Sequence, residues 1–167
     1  VEQYWRDNRL NMIHEGTHGI QAMDLLGRKV IMDGGKGLQL LAARINATIQ
    51  KALQQAKLST YANQLARALA DVGSTTKAAW ATDNPQEALA NAVPYMQAFG
   101  HVVLGWIWLD VALAVLAKDD GLAIAAHRGS MAAQRYFFHY ELPRIGAWLQ
   151  VVKARDMTCA YMEEDAF

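Results

Sequence analysis

The stretch from Asn84 to Lys118, NPQEALANAVPYMQAFGHVVLGWIWLDVALAVLAK, decides the fold class. It begins with Asn84 and Pro85, a pair typical of a helix start, because the Asn side chain caps free N–H groups and proline fits the first turn. Glu87 is spaced to reach back to the cap. Since no strand-like alternation follows, we predict one long helix. Pro94 removes a backbone hydrogen bond within it, which predicts a bend there.

The remaining sequence also has helical periodicity. Apolar side chains recur three and four residues apart over residues 38–56 and 61–72. We expect a first helix up to about residue 12, a short second one up to about residue 27 and a last long one over residues 122–155. Glycines at positions 34, 35 and 37 predict a loop, whereas residues 57–60 could be a turn or continuous helix.

These patterns together predict an all-α protein. Pro143 lies within the last helical stretch and indicates a second bend or a short break. Long helices joined by short connections favour a bundle. We therefore predict an antiparallel helical bundle of four or five main helices, with kinks near Pro94 and Pro143.

Composition excludes several partners. The chain has 167 residues, 53% of them hydrophobic, enough for a core without metal or disulfides. Sixteen Lys and Arg balance sixteen Asp and Glu, so we expect neither nucleic acid nor a membrane as partner. The longest apolar run, around Val102 to Leu109, is too short to span a bilayer and is broken by Gly105. The single cysteine, Cys159, favours a reducing compartment, from which we expect a cytoplasmic location.

The pentapeptide His14-Glu15-Gly16-Thr17-His18 admits a zinc interpretation. Two histidines four apart on a helix can hold Zn²⁺ while the intervening Glu activates a water. Against this, Gly16 and Thr17 are poor helix formers. Gln21 also stands where such peptidases have glycine, and the chain contains no strand pattern. We expect no metal here, and a zinc metallopeptidase remains the alternative hypothesis.

The longer context resembles the last catalytic segment of acyl-CoA dehydrogenases. Residues 6–30, RDNRLNMIHEGTHGIQAMDLLGRKV, share with that family Arg6, Asp7, Ile13, Glu15, Gly16, Thr17, Ile20 and Gln21. His14 departs from the family, which usually has Tyr there. Residues 136–150, YFFHYELPRIGAWLQ, are similar to the extra C-terminal helical domain of longer members, including those that act on methylthiopropanoyl-CoA.

The resemblance implies the chemistry and the domain division. Residues 1–33 would be the end of the catalytic helical domain and residues 34–167 a C-terminal helical bundle domain. Glu15 would be the base that removes the α-proton of an acyl-CoA thioester, while the β-hydrogen leaves as hydride to FAD. Gly16 would border the substrate. Thr17, His18 and Gly19 would contact FAD.

The same resemblance implies partners and context. We expect an acyl-CoA substrate from fatty acid metabolism, electron-transfer flavoprotein as acceptor and a homodimer. Because the chain begins without Met and within a helical pattern, we expect a fragment of a longer enzyme that is inactive alone. A non-catalytic helical interaction domain is a further alternative.

Overall fold

All regular secondary structure is helical in the part that the computed structural model describes, residues 2–10, 17–118 and 122–166. This confirms the predicted all-α class. Eight α-helices lie within these ranges: α1 (Glu2–Asn8), α2 (His18–Asp24), α3 (Met32–Leu53), α4 (Ser59–Ala79), α5 (Pro85–Leu89), α6 (Ala92–Leu116), α7 (Ala125–Tyr136) and α8 (Ile145–Ala154).

The four main helices of the bundle are α3, α4, α6 and α8. α4 and α6 are antiparallel, since Thr76 bonds to Tyr95 near one end and Leu65 lies close to Gly105 further along. α8 runs alongside α4, with Lys153 paired to Asp71. The short α5 and α7 and the N-terminal α2 pack around this bundle.

The core lies between α4 and α6 and extends to α3 and α8. Its fully buried residues include Ile45, Leu65, Tyr95 and Leu109. α6 approaches α4 closely at Gly105, where an added Cβ would lie 3.3 Å from the Leu65 Cδ1. Burial of large apolar side chains is the main stabilising contribution, about 1.5–3 kcal/mol for each one fully buried.

The start of the deciding stretch folds as predicted, but its continuation does not. Asn84 caps α5 by accepting a hydrogen bond from the Gln86 N–H at 3.0 Å, and its amide donates to Glu87 at 3.1 Å. The predicted kink near Pro94 takes the form of a break at Asn91 (φ −117°, ψ 35°), three residues earlier, rather than a bend within one long helix. Pro94 then falls in the first turn of α6, where N–H groups have no acceptor within the helix and a proline costs little.

Other helix boundaries differ in detail from those predicted from the sequence. The open question at residues 57–60 is answered by a turn that ends at Leu58, before α4 begins. The predicted glycine loop is a short left-handed turn formed by Asp33, Gly34 and Gly35, with φ of 52°, 66° and 80°. Gly37, placed in that loop by the sequence, already belongs to α3.

Two segments widen from α-helical to π-helical geometry. The first, Leu25–Lys29, continues α2 past the end expected near Gly27. The second, Phe137–Glu141, follows α7 and leads into a 3₁₀ turn, Leu142–Arg144, that contains Pro143. The predicted short break at Pro143 is thereby confirmed.

Helix α6 is apolar on all sides. By length and composition it is the one helix in the described ranges that could cross a bilayer, with a mean hydropathy of 1.9 over its most apolar window. The expectation that Gly105 interrupts this run is wrong, since the helix continues through it. A core helix has the same composition, but only 28% of this window is buried, although α6 packs against α2, α3, α4, α7 and α8. The absence of a membrane partner stays a prediction.

Candidate functional site

Thr17 is the first described residue after the Glu-Gly sequence and stands just before α2. Its carbonyl accepts the Gln21 N–H at 2.8 Å, which starts the helix. The Thr17 hydroxyl does not cap α2, because its Oγ1 accepts from the Gln21 side-chain amide at 3.0 Å instead. The reason is backbone conformation: φ −85° and ψ 7° are far from the extended geometry of a capping residue.

His18 and Gly19 form the first turn of α2 with Thr17. His18 is exposed, and a Cβ added at Gly19 would meet nothing within 4 Å. The N–H groups of a first helical turn have no acceptor inside the helix. A cofactor-binding role for Thr17, His18 and Gly19 stays a prediction.

His14, Glu15 and Gly16 lie outside the described residues. The roles of Glu15 as base and of Gly16 at the substrate therefore also stay predictions. Within residues 2–10, 17–118 and 122–166, no group of three or more His, Cys, Asp or Glu side chains could hold a metal ion. The described part of the chain gives the zinc hypothesis no support.

The bundle holds α2 firmly in place. Ala22 and Leu26 are fully buried in the core that α2 shares with the main helices. The Trp80 indole N–H, at the end of α4, donates to the Leu26 carbonyl at 3.2 Å. The start of α2, with Thr17 and its neighbours, is thus fixed by the folded bundle.

The outer face of α2 combines apolar and charged groups. Ile20 and Met23 are 66% and 47% exposed. A groove of about 570 Å³ lies between α2 and the start of α6, bordered by Ile20, Asp24, Arg28 and Met96. The hydrogen bond and charge of Arg28 hold the pKa of Asp24 below its usual value, so this carboxylate stays ionised in moderately acidic solution.

His101 on α6 is held by contacts with its own helix and with aromatic neighbours. Its Nδ1 lies 3.0 Å from the Gln97 carbonyl oxygen, and its ring packs between Phe137 and Trp148, with centroid distances of 5.8 and 4.8 Å. Glu141 lies 3.9 Å from the Nε2 and forms an ion pair with Arg144 at 3.1 Å.

One cavity was not predicted from the sequence. It measures about 360 Å³ and lies between the left-handed turn at Gly34 and Gly35 and the face of α4 that carries Gly73, Lys77 and Trp80. The consecutive glycines signalled a turn. Nothing in the sequence indicated that α4 packs opposite that turn and leaves this space.

Comparison with protein families identifies the relatives of the chain. Residues 41–163 match the family described as acetyl-CoA dehydrogenase C-terminal like. A 3-methylmercaptopropionyl-CoA dehydrogenase of Ruegeria pomeroyi is 36% identical over 129 residues, which are 74% of this chain and 21% of that protein. These matches confirm the predicted resemblance.

Two further relatives match almost the whole chain. A broad-specificity linear acyl-CoA dehydrogenase of Mycobacterium tuberculosis is 27% identical over 179 residues, 100% of this chain and 29% of that protein. A butyryl-CoA dehydrogenase of Syntrophomonas wolfei is 28% identical over 173 residues, 97% of this chain and 28% of that protein. The chain therefore spans between a fifth and a third of the length of these relatives.

Proposed function

The chain belongs to the acetyl-CoA dehydrogenase C-terminal-like family, and from this premise we propose that it is the C-terminal part of an FAD-dependent acyl-CoA dehydrogenase. The observation that carries the proposal is the match of 100% of the chain to a linear acyl-CoA dehydrogenase, since it takes in the Glu-Gly-Thr segment as well as the bundle. The division into residues 1–33 and 34–167 is part of the same proposal.

Glu15 is the proposed base. It would take the α-proton of the acyl-CoA thioester onto a carboxylate oxygen. An ordinary Glu, with a pKa of about 4.3 in water, is too weak for this task. Closing the pocket around an apolar acyl chain removes water from the carboxylate, which raises its pKa and strengthens the base. Gly16 beside it has no side chain to intrude on the substrate.

The first turn of α2 fits contact with a flavin cofactor. His18 is exposed, and no described residue lies within 4 Å of a Cβ built at Gly19, which supports the approach of a large planar or phosphorylated group to the backbone. Thr17, His18 and Gly19 would hold FAD there, with His18 and Gly19 contributing N–H groups of the helix start. When bound, FAD supplies the acceptor for the hydride that leaves the β-carbon.

The position of α2 on the bundle supports a structural role for the C-terminal domain. Leu26 and Ala22 are fully buried against the main helices, so the bundle holds the helix that follows the Glu-Gly-Thr segment in sequence. We propose that the bundle positions this segment, while the flavin-binding strands and the groups that polarise the thioester come from the preceding polypeptide. The isolated chain is then inactive.

The partners follow from the same premise. We propose an acyl-CoA substrate, electron-transfer flavoprotein as electron acceptor, a homodimeric enzyme, no membrane and a cytoplasmic location. The Ruegeria pomeroyi relative acts on 3-methylmercaptopropionyl-CoA by name, and the Syntrophomonas wolfei relative on butyryl-CoA. Short acyl-CoA thioesters, with and without a sulfur in the chain, are the first substrates to test.

The test uses the polypeptide encoded by the complete reading frame, purified with FAD and assayed with butyryl-CoA and a dye acceptor. Glu15→Gln removes the base and should lower kcat by about 10²–10⁴-fold, with FAD still bound. Glu163→Gln, at an exposed position near the C-terminus, is the matched control and should leave kcat unchanged.

Two results would contradict the proposal. Full turnover in Glu15→Gln would exclude Glu15 as the base. Dehydrogenation of an acyl-CoA by residues 1–167 alone, with added FAD and acceptor, would show that the preceding polypeptide is not needed for the chemistry.

A further inference from the structure

The cavity of about 360 Å³ between the left-handed turn and α4 has a backbone origin. Gly34 and Gly35 have φ of 66° and 80°, so glycine is favoured at both positions, and a Cβ at Gly35 would lie 3.3 Å from the Val30 carbonyl oxygen. On the opposite wall, a Cβ at Gly73 would meet nothing within 4 Å. The cavity therefore persists because the positions that would fill it have no side chains.

The polar side chains on the cavity walls already form hydrogen bonds within the protein. The Trp80 indole N–H donates to the Leu26 carbonyl, and the Gln39 amide donates to the Gly34 carbonyl at 3.2 Å. Thr76 is bonded to the Tyr95 hydroxyl. With these groups satisfied, the interior offers a bound molecule mainly apolar contact.

Lys77 is the one charged residue among the described residues that line the cavity. It is exposed, and it takes part in none of the ion pairs found in residues 2–10, 17–118 and 122–166. A single cation beside an apolar space selects an anionic head group attached to an apolar body.

We propose that this cavity is a binding site for a small amphipathic carboxylate, with the alkyl chain against Trp80 and the carboxylate paired with Lys77. Its volume lies near the lower end of the range for small-molecule sites, about 300–1,000 Å³, which limits the ligand to a short or medium chain. None of its described lining residues belongs to the Glu15–Gly19 segment, and it is assigned no part in the proposed dehydrogenation. Its test therefore succeeds or fails independently of that function.

The experiment titrates the 167-residue chain with sodium octanoate by calorimetry and follows the tryptophan indole signals by NMR, the Trp80 signal being assigned through Trp80→Phe. We expect saturable binding that shifts the Trp80 signal. Lys77→Gln removes the exposed cation that would pair with the carboxylate of the ligand. Octanoate should therefore bind about two- to fivefold more weakly, while the neutral analogue 1-octanol binds as before.

A blocking variant tests the position of the site. Gly73→Phe places a ring at the cavity wall and should abolish binding of both octanoate and 1-octanol. Gly129→Phe is the matched control, since Gly129 also lies in a helix with open space at its Cβ, and it should bind octanoate normally. The proposal is overturned if octanoate gives no saturable signal, if the native chain binds 1-octanol as tightly as octanoate, or if Gly73→Phe binds like Gly129→Phe.

Discussion

The hydroxyl groups of Thr76 and Tyr95 lie 2.7 Å apart inside the protein and join α4 to α6. The Thr76 hydroxyl also donates to the Val72 carbonyl at 2.8 Å, so within this pair Tyr95 is the donor and Thr76 the acceptor. Tyr95 is fully buried and Thr76 is 8% exposed. Removing the Thr76 hydroxyl would therefore leave the Tyr95 hydroxyl without its acceptor, whereas removing the Tyr95 hydroxyl would leave Thr76 bonded to Val72.

This difference gives the first prediction. Thr76→Val keeps the shape but leaves the Tyr95 hydroxyl buried without an acceptor, which should lower the free energy of unfolding by about 1–3 kcal/mol. Tyr95→Phe leaves Thr76 bonded to Val72 and should cost about 0.5–1.5 kcal/mol. Urea unfolding measures both values. A larger loss for Tyr95→Phe than for Thr76→Val would contradict the assignment of donor and acceptor.

The second prediction concerns pH. Burial raises the pKa of Tyr95 to about 12, although the hydrogen bond to Thr76 acts in the opposite direction. In the unfolded chain the same phenol titrates near pH 10. The folded state therefore keeps a proton that the unfolded state loses, and this contribution to stability is complete below pH 10 and disappears as pH rises towards 12.

Comparison with Tyr95→Phe isolates this effect from other groups that titrate in alkali. Between pH 9 and 11, the native protein should lose about 1 kcal/mol more unfolding free energy than the variant. Absorbance at 295 nm should contain a component near pH 12 that the variant lacks. Equal losses in the two proteins would show that Tyr95 titrates normally.

The third prediction concerns Gln134 on α7. Its side chain is fully buried, yet neither its amide nitrogen nor its amide oxygen has a hydrogen-bond partner among the residues that the structure describes. Burying an unpaired polar group costs about 1–3 kcal/mol. Gln134→Met has nearly the same shape and should raise the free energy of unfolding by about 1 kcal/mol or more.

Gln150→Met is the matched control, because Gln150 is exposed on α8 and its replacement should change stability by less than about 0.5 kcal/mol. Thermal and urea unfolding of the two variants give the comparison. A clear loss of stability in Gln134→Met would mean that the buried amide makes a stabilising interaction in solution.

The fold class and several helix ends were predictable because they depend on neighbouring residues. The cap formed by Asn84 and Glu87 and the break at Pro143 are of this kind. Pro94 shows the limit of local reasoning: a proline is tolerated in a first turn but not inside a helix, and the sequence did not reveal that the chain breaks at Asn91.

The two sites also differ in whether the sequence could predict them. Thr17, His18 and Gly19 could be proposed because they are contiguous and belong to a recognisable segment. The cavity beside Lys77 depends on the packing of α4 against a turn some forty residues away in sequence, and the pairing of Thr76 with Tyr95 joins residues 19 positions apart. Such contacts are set by the packing of whole helices, which periodicity alone does not determine.

The last prediction uses two glycines on α6 that differ only in their surroundings. A Cβ at Gly100 would meet nothing within 4 Å, whereas one at Gly105 would lie 3.3 Å from Leu65 on α4 and 3.6 Å from Phe137. Gly100→Ala should raise the free energy of unfolding by about 0.5–1 kcal/mol, because alanine loses less backbone freedom on folding. Gly105→Ala makes the same gain but has to displace buried side chains, and overpacking typically costs about 1–3 kcal/mol.

Urea unfolding should therefore place the free energy of unfolding of Gly105→Ala at least about 1 kcal/mol below that of Gly100→Ala. Equal stabilisation of both variants would mean that α6 can move away from Leu65 at little cost, and that Gly105 does not set the distance between the two helices.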